Sequence, residues 1–121
     1  RGAAIAHGKV VAVAYADGDL TLDEILEAAA ATASDGVLID TALKNGPGLR
    51  QLIDRNTLTC WISRARDGGL RVAVAGRLMR DDLPWARECG ADIAGVRGAA
   101  CEHGRTSRVI AEKVRLLRCH V

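Results

Sequence analysis

The stretch Gly36-Val-Leu-Ile-Asp-Thr-Ala-Leu-Lys44 places a short apolar run directly before an aspartate and a lysine. Three similar runs rich in Val, Ala and Ile occupy residues 9–15, 70–75 and 92–97. Nearly continuous apolar character is typical of parallel strands that are covered on both faces. The sequence therefore predicts four parallel strands, which start near residues 9, 36, 70 and 92.

Helical segments separate these runs. Thr21-Leu-Asp-Glu24 has the pattern of a capping box, Gly68-Gly69 of a helix stop, and Pro84 of a first helical turn. Val109 and Ile110 begin the apolar face of the last helix. The predicted helices cover residues 21–34, 48–67 with an interruption near 56–57, 81–90 and 107–119.

The order β-α-β-α-β-α-β-α predicts an α/β fold with right-handed crossovers. Two closures fit this order: an open four-stranded sheet, or the last four βα units of a (β/α)8 TIM barrel. An isolated half barrel leaves two strand edges and an inner face uncovered, so it needs its other half or a second subunit. No linker divides residues 1–121, which we interpret as one unit. Because the chain begins with Arg1, we expect further sequence before it.

The composition excludes several classes of protein. Hydrophobic residues make up 49% and charged residues 26%, a globular balance. The net charge of +2 argues against a nucleic-acid partner, and no apolar run approaches the ~20 residues of a membrane span. The four cysteines lack zinc spacing, so we predict no metal, no cofactor and reduced thiols in the cytoplasm. Cys60 and Cys89 are interpreted as small apolar fillers on helices.

Asp40 and Lys44 are the candidate catalytic pair, because ligands of such folds bind at the carboxyl ends of the strands. A lysine attacks carbonyl groups as its free amine, which burial or neighbouring cations favour. An adjacent aspartate can transfer protons during imine formation or hold a substrate hydroxyl. The alternative is a surface ion pair on a solvated loop.

Glycines follow the last two strands directly. Gly76 and Gly98 let backbone N–H groups approach an anion closely, and phosphate commonly lies between the last two strand loops of a barrel. The sequence thus predicts a phosphate cradle of Gly76, Arg77, Gly98 and Ala99, to which Arg97 can add charge. Ordinary turn glycines are the alternative.

Other polar residues receive weaker assignments. Asp17 either binds a substrate or starts the Asp17-Gly18-Asp19 turn, and the turn is favoured. His103 is assigned no role. The remaining lysines are interpreted as lying away from the site, with Lys9 at the start of a strand and Lys113 on the last helix.

The segment Leu38-Ile-Asp-Thr-Ala-Leu-Lys-Asn-Gly46, followed by Val72–Gly76 and Ile93–Glu102, resembles the (5-formylfuran-3-yl)methyl phosphate synthase family. Members are also called 4-(hydroxymethyl)-2-furancarboxaldehyde-phosphate synthases. The strand from Val10 to Asp17 matches as well, so the resemblance covers essentially the whole chain. Its most specific part is Asp-Thr-Ala-x-Lys-x-Gly.

The resemblance implies an eight-stranded barrel in which these strands are the fifth to eighth. It implies a lyase of methanofuran biosynthesis that joins two molecules of glyceraldehyde 3-phosphate. The implied steps are isomerisation of one triose, aldol condensation through a Schiff base, loss of one phosphate and dehydrating closure to the furan. Lys44 matches the family's imine-forming or cationic lysine and Asp40 its proton-transferring aspartate, with the phosphate at Gly76 and Gly98.

The chain also departs from the family pattern. The family uses lysines and an aspartate from earlier strands, which this chain lacks, and the loops after Asp17 and Glu102 are short. We therefore expect the chain alone to be inactive. Two other classes stay open: a binding module for a phosphorylated small molecule, and an assembly piece whose strand edges serve only association.

Overall fold

The structure, a computed structural model, describes residues 8–119, and in that range four strands alternate with helices. The strands are β1 (Val11–Tyr15), β2 (Gly36–Asp40), β3 (Arg71–Val74) and β4 (Ile93–Ala94). The helices are α1 (Leu22–Ala31), α2 (Leu49–Leu52), α3 (Arg55–Asp67), α4 (Leu83–Glu88) and α5 (Ala111–Arg118). Two short 3-10 turns, Arg80–Asp82 and Gly98–Ala100, stand before α4 and α5.

All four strands are parallel and lie side by side in chain order. Val11 of β1 is paired with Gly36 of β2, and Tyr15 with Asp40, so that paired positions are 25 residues apart. Because each crossover returns the chain in the same direction, every strand ends at the same edge of the sheet. The predicted α/β fold with a parallel sheet is confirmed.

The hydrophobic core lies between one face of the sheet and the helices. Alternate strand residues supply one side of it, and the apolar faces of α1, α3 and α4 supply the other. The indole Nε1 of Trp61 donates a hydrogen bond of 2.9 Å to the carbonyl of Leu22, which joins α3 to α1. The buried strand residues with apolar side chains are Ala14, Val37, Ile39, Val72 and Val74.

The opposite face of the sheet is not covered within residues 8–119. Val11, Val13 and Tyr15 of β1 are 49%, 49% and 45% exposed, and Ile93 of β4 is 54% exposed. Residues 8–119 therefore do not cover both faces of the strands, and one uncovered face is what the sequence analysis expects of this chain without its other half or a second subunit. The reason is that the helices pack on a single face, while an apolar strand pattern reports only that both faces suit burial.

The first helix ends at Ala31 rather than at residue 34, and the second helical region is interrupted at a different place from the predicted one. The interruption falls at Ile53 and Asp54, because the Asp54 carboxylate caps α3 by accepting a 2.8 Å hydrogen bond from the N–H of Thr57. That contact also lowers the pKa of Asp54. Thr21 caps α1 as predicted, by accepting from the N–H of Glu24 at 3.1 Å.

The last helix begins at Ala111 rather than near residue 107. Val109 is 62% exposed and forms an antiparallel bridge with Cys101, and the N–H of Ile110 donates to the carbonyl of Ala100 at 2.8 Å. This pairing over a short distance in sequence keeps the segment extended, so these two residues do not belong to the apolar face of α5.

Two further predictions concern the thiols and the membrane. Cys89 is 2% exposed and fills the core, whereas Cys60 lies on the exposed side of α3, so only one of the two is an apolar filler. Across residues 8–119 no helix has both the length and the apolar character needed to cross a membrane.

Candidate active site

A cavity of about 790 Å³ opens at the carboxyl edge of the sheet. It lies where the loops after β2, β3 and β4 meet, the edge at which parallel α/β folds bind ligands. The residues that the sequence singled out as catalytic or phosphate-binding all line it: Asp40, Lys44, Gly76, Arg77, Gly98 and Ala99. Parallel register accounts for this convergence, because each of these residues lies at or just beyond a strand end.

Asp40 and Lys44 form an ion pair in the cavity wall. The Nζ of Lys44 lies 3.2 Å from Oδ1 of Asp40, and the side chains are 37% and 22% exposed. The ammonium also donates a hydrogen bond to the carbonyl of Thr41. The lysine is thus half-buried beside the cavity, next to a carboxylate that can exchange protons with it.

The lysine is carried by residues 41–46, which we call the lysine loop. The carboxylate of Asp17, just beyond β1, accepts hydrogen bonds from the N–H groups of Ala42 at 2.8 Å and Leu43 at 2.9 Å. These two bonds, led by that of Ala42, lower the pKa of Asp17. Asp17 does lie in a turn, closed by the bond from the Gly18 N–H to the Tyr15 carbonyl, but its side chain reaches the neighbouring loop.

Position 76 requires a glycine because of its backbone conformation and its close contact with Thr41. Its φ is +112°, and a Cβ at this position would lie 2.8 Å from Cγ2 of Thr41. Thr41 is fully buried, and its Oγ1 is the one buried side-chain oxygen or nitrogen among the described residues without a partner. The glycine thus allows the loop after β3 to pass close to the lysine loop.

The four residues of the predicted phosphate cradle share a second property. Within residues 8–119, none of their backbone N–H groups donates a hydrogen bond to another protein group. Unpaired amide donors beside a cavity are suited to an anion. The guanidinium of Arg77, by contrast, donates to the carbonyl of Gly46, so this side chain also ties the loop after β3 to the lysine loop.

Further cations surround the cavity. Arg97 and Arg105 line it on the β4 side, where Nε of Arg97 donates to the carbonyl of Arg105 at 2.7 Å. Together with Lys44, Arg77 and Lys113 they give the lining five cationic side chains against the single carboxylate of Asp40. This charge balance favours a strongly anionic ligand.

The position assigned to Lys113 from the sequence is wrong. Lys113 does lie on α5, but its Nζ donates to the carbonyls of Cys101 at 2.7 Å and Glu102 at 3.3 Å, and the side chain lines the cavity. The extended segment before α5 brings the start of the helix, and with it Lys113, to the cavity. Helical periodicity carries no information about such a segment, so the sequence pattern does not indicate the position of Lys113. His103 is exposed and does not line the cavity.

No group of three or more His, Cys, Asp or Glu residues in the described range 8–119 is placed to hold a metal ion. The charged side chains that line the cavity are two lysines, three arginines and one aspartate, which suit proton transfer and the binding of an anion.

Fold and cavity together define a parallel α/β protein, with its candidate site at the carboxyl ends of the strands. The structure is similar to that of the HpcH/HpaI aldolase from Desulfitobacterium hafniense DCB-2, with a TM-score of 0.59 and 17% sequence identity. The similarity covers 90% of this chain and 36% of the aldolase chain. At this level of identity it concerns the fold alone.

The sequence relationship is more specific. The family model described as 4-HFC-P synthase matches residues 2–118, and the chain belongs to this family. The resemblance found in the sequence is thereby confirmed.

Named relatives give the same relationship. The (5-formylfuran-3-yl)methyl phosphate synthase of Methanopyrus kandleri is 41% identical over 104 residues, which are 83% of this chain and 44% of that protein. The synthase of the same name from Methanothermobacter thermautotrophicus is 40% identical over 115 residues, which are 90% of this chain and 49% of that protein. The chain therefore spans about half the length of the curated relatives it matches.

Proposed function

We propose that this chain supplies the last four βα units of a (5-formylfuran-3-yl)methyl phosphate synthase, a cytoplasmic lyase of methanofuran biosynthesis. Its substrate in this proposal is glyceraldehyde 3-phosphate, of which two molecules are condensed. One observation carries the proposal: the Lys44 ammonium is paired with Asp40 inside a cavity rich in cations and unpaired amides. Membership of the family, whose named relatives are synthases of this compound, supports it.

The proposed chemistry begins at Lys44. Asp40 accepts a proton from the ammonium, and the resulting amine attacks the carbonyl carbon of one triose phosphate. As the carbon–nitrogen double bond forms, the carbinol oxygen leaves as water, and Asp40 supplies the proton it needs. Loss of a proton from the adjacent carbon gives an enamine, which adds to the aldehyde of the second triose. One of the two trioses is isomerised before the condensation. Elimination of one phosphate, hydrolysis of the imine, which returns Lys44 to its free amine, and a ring closure that loses two further waters then give the furan.

Phosphate binding is assigned to the opposite wall of the cavity. The backbone N–H groups of Gly76, Arg77, Gly98 and Ala99 hold the phosphate oxygens, and Arg97 adds positive charge. A triose phosphate is small enough for a cavity of about 790 Å³ to hold two molecules. Neither a metal nor a cofactor is needed in this scheme, since the electron sink is the protonated imine.

The uncovered face of the sheet supports the second part of the proposal, which is that the active enzyme contains four more strands. Val11, Val13, Tyr15 and Ile93 lie on the sheet face away from the helices, which in a closed barrel is the inner face. Strands contributed by the rest of the protein, or by a second subunit, would cover these side chains and pair with the free edges of β1 and β4.

The two competing classes make different predictions. A phosphate-binding module without chemistry would use the amides of the phosphate cradle and the charge of Arg97, and its affinity would change little when Lys44 is replaced by alanine. An assembly piece would associate through its sheet edges and would need no phosphate ligand at all.

The test uses a chimera in which this chain replaces the matched segment of the Methanopyrus kandleri relative, so that the remainder of the barrel is present. The chimera is incubated with glyceraldehyde 3-phosphate and borohydride, and its peptides are analysed by mass spectrometry. We expect a reduced triose adduct on the peptide that contains Lys44, together with furan phosphate in the unreduced reaction.

Two variants control this experiment. Lys44→Arg keeps the positive charge but cannot form an imine, so it should lose both the adduct and turnover. Lys9→Ala removes an exposed lysine before β1, at the opposite edge of the sheet, and should retain both. Turnover by the Lys44→Arg variant, or an adduct confined to other lysines, would contradict the proposal.

A further inference from the structure

Asp17 holds the lysine loop without touching the cavity. Its two carboxylate oxygens accept hydrogen bonds from successive backbone N–H groups, those of Ala42 at 2.8 Å and Leu43 at 2.9 Å. The residue is not among those that line the cavity. The carboxylate therefore binds the backbone immediately before Lys44. It can affect a ligand in the cavity only by changing the position of that backbone.

Hydrophobic burial does not hold this part of the loop. Ala42 is exposed, and Leu43 is 65% exposed, so neither side chain anchors the backbone by packing. Thr41, at the start of the loop, is fully buried, and the Lys44 ammonium bonds to its carbonyl and to Asp40. The restraints on the backbone after Thr41 are polar. Besides Asp17 they are the bond from the Gly46 N–H to the Leu43 carbonyl, at 3.2 Å, and the Arg77 side chain at the far end of the loop.

The two bonds to Asp17 fix consecutive peptide groups, and this determines where the next residue points. Lys44 follows Leu43 directly, and its Nζ must reach both Oδ1 of Asp40 and a substrate carbon. A carboxylate that accepts two N–H groups at once sets direction as well as distance, because each oxygen must stay in line with its own donor. Release of the bonds would let the exposed backbone rotate.

We propose that Asp17 is a positioning residue: the hydrogen bonds that its carboxylate accepts from the Ala42 and Leu43 amides keep Lys44 next to Asp40 and the substrate. This inference rests on the proposed function, in which Lys44 performs the chemistry. It goes beyond that function by assigning part of the rate to a side chain that contacts neither substrate nor reacting atoms. A purely local turn role does not need the carboxylate, since the turn is closed by the backbone bond from Gly18 to Tyr15.

The test compares Asp17→Asn with Asp19→Asn in the chimera described above. Asparagine at position 17 keeps one acceptor and turns an N–H₂ group toward the loop amides, which breaks the double contact. Asp19 lies two residues away in the same exposed segment and accepts no hydrogen bond within the described residues, so its substitution is the matched control. The measurements are kcat and KM for glyceraldehyde 3-phosphate, the rate of borohydride trapping at Lys44, and thermal stability.

A misplacement of about 1 Å at a reacting group can cost on the order of 100-fold in rate. For Asp17→Asn we therefore expect kcat and the trapping rate at Lys44 to fall by about 10- to 100-fold at a temperature where the protein is fully folded. KM should stay nearly unchanged, because the phosphate groups bind elsewhere, and Asp19→Asn should match the unsubstituted chimera. Hydrogen exchange at the Ala42 and Leu43 amides should be faster in Asp17→Asn only.

Some outcomes would overturn the inference. If folded Asp17→Asn keeps its kcat and its trapping rate while only its melting temperature falls, Asp17 is merely structural. If Asp17→Asn does not fold, Asp17→Glu decides, since it keeps the charge and displaces both oxygens by one methylene: a reduced kcat supports the inference and an unchanged one refutes it. Failure of the proposed function is seen separately, as turnover by Lys44→Arg.

Discussion

Replacement of Gly76 by alanine tests the close approach of the loop after β3 to the lysine loop. Two costs add at this position. The backbone φ of +112° is one that residues with side chains rarely adopt, which costs about 1 to 3 kcal/mol. The new Cβ would lie 2.8 Å from Cγ2 and 3.2 Å from the backbone N of Thr41, and that residue is fully buried, so overpacking adds about 1 to 3 kcal/mol.

We therefore expect Gly76→Ala to reduce the free energy of unfolding of the chimera by about 2 to 6 kcal/mol. The assay is urea denaturation followed by far-UV circular dichroism. With a slope of about 2 kcal/mol per molar urea, the midpoint should fall by about 1 to 3 M. Because a typical domain is stable by about 5 to 15 kcal/mol, this variant should remain partly or wholly folded in buffer.

Two other glycines separate the costs. Gly69 has a φ of +81°, but an added Cβ there would have no atom within 4 Å, so Gly69→Ala should show only the backbone cost. Gly98 has no positive φ, and the nearest atom to an added Cβ is 3.5 Å away, so Gly98→Ala should change stability by less than about 1 kcal/mol. A loss of stability in Gly76→Ala no larger than that in Gly69→Ala would refute the overpacking cost assigned to the contact with Thr41.

Three further outcomes follow from other contacts. Asp92 accepts hydrogen bonds from a β3 amide and from Arg66, and these bonds lower the pKa of its carboxyl group. The carboxylate therefore stabilises the fold above its ordinary pKa of 3.8, and this stabilisation is lost as the pH falls through the lowered pKa. Asp92→Asn should weaken the acid dependence of the urea midpoint below about pH 4. Lys113→Ala should weaken the binding of inorganic phosphate, measured by calorimetry, by about tenfold, and the difference should shrink with added salt. An unchanged affinity would exclude Lys113 from the anion site. Val13→Asp should prevent copurification of this chain with the barrel half that is proposed to complete it, whereas Leu20→Asp, on the exposed turn after β1, should not. Equal recovery of both variants would show that the apolar sheet face is not the contact.

The strands could be predicted because their signal is local. Each apolar run is bounded by polar or glycine residues, and the observed strands start at residues 11, 36, 71 and 93, within two residues of the prediction. The convergence of Asp40, Lys44, Gly76 and Gly98 followed from the same signal, since residues at the ends of parallel strands meet at one edge of the sheet.

Features that depend on backbone pairing outside the four strands could not be read in this way. The start of α5 was misplaced because the Val109–Cys101 bridge competes with the helix, and that bridge has no sequence pattern. Lys113 was misassigned for the same reason. Asp17 is an intermediate case: once β1 and β2 are aligned, their register places it opposite Ala42, but the register itself comes from the structure.

The register of β1 and β2 also determines where the chain can tolerate changes of length. Ala42 follows Asp17 by the same 25 residues that separate every paired position of the two strands. An insertion at the exposed end of α1 would lengthen that interval along the chain yet leave the two side-by-side positions facing each other. A single deletion inside β1 would move every later residue of the strand by one place, exchange its two faces and bring Gly18 rather than Asp17 beside the amides of the neighbouring loop. Homologous sequences should therefore vary in length between the two strands and hardly ever within them.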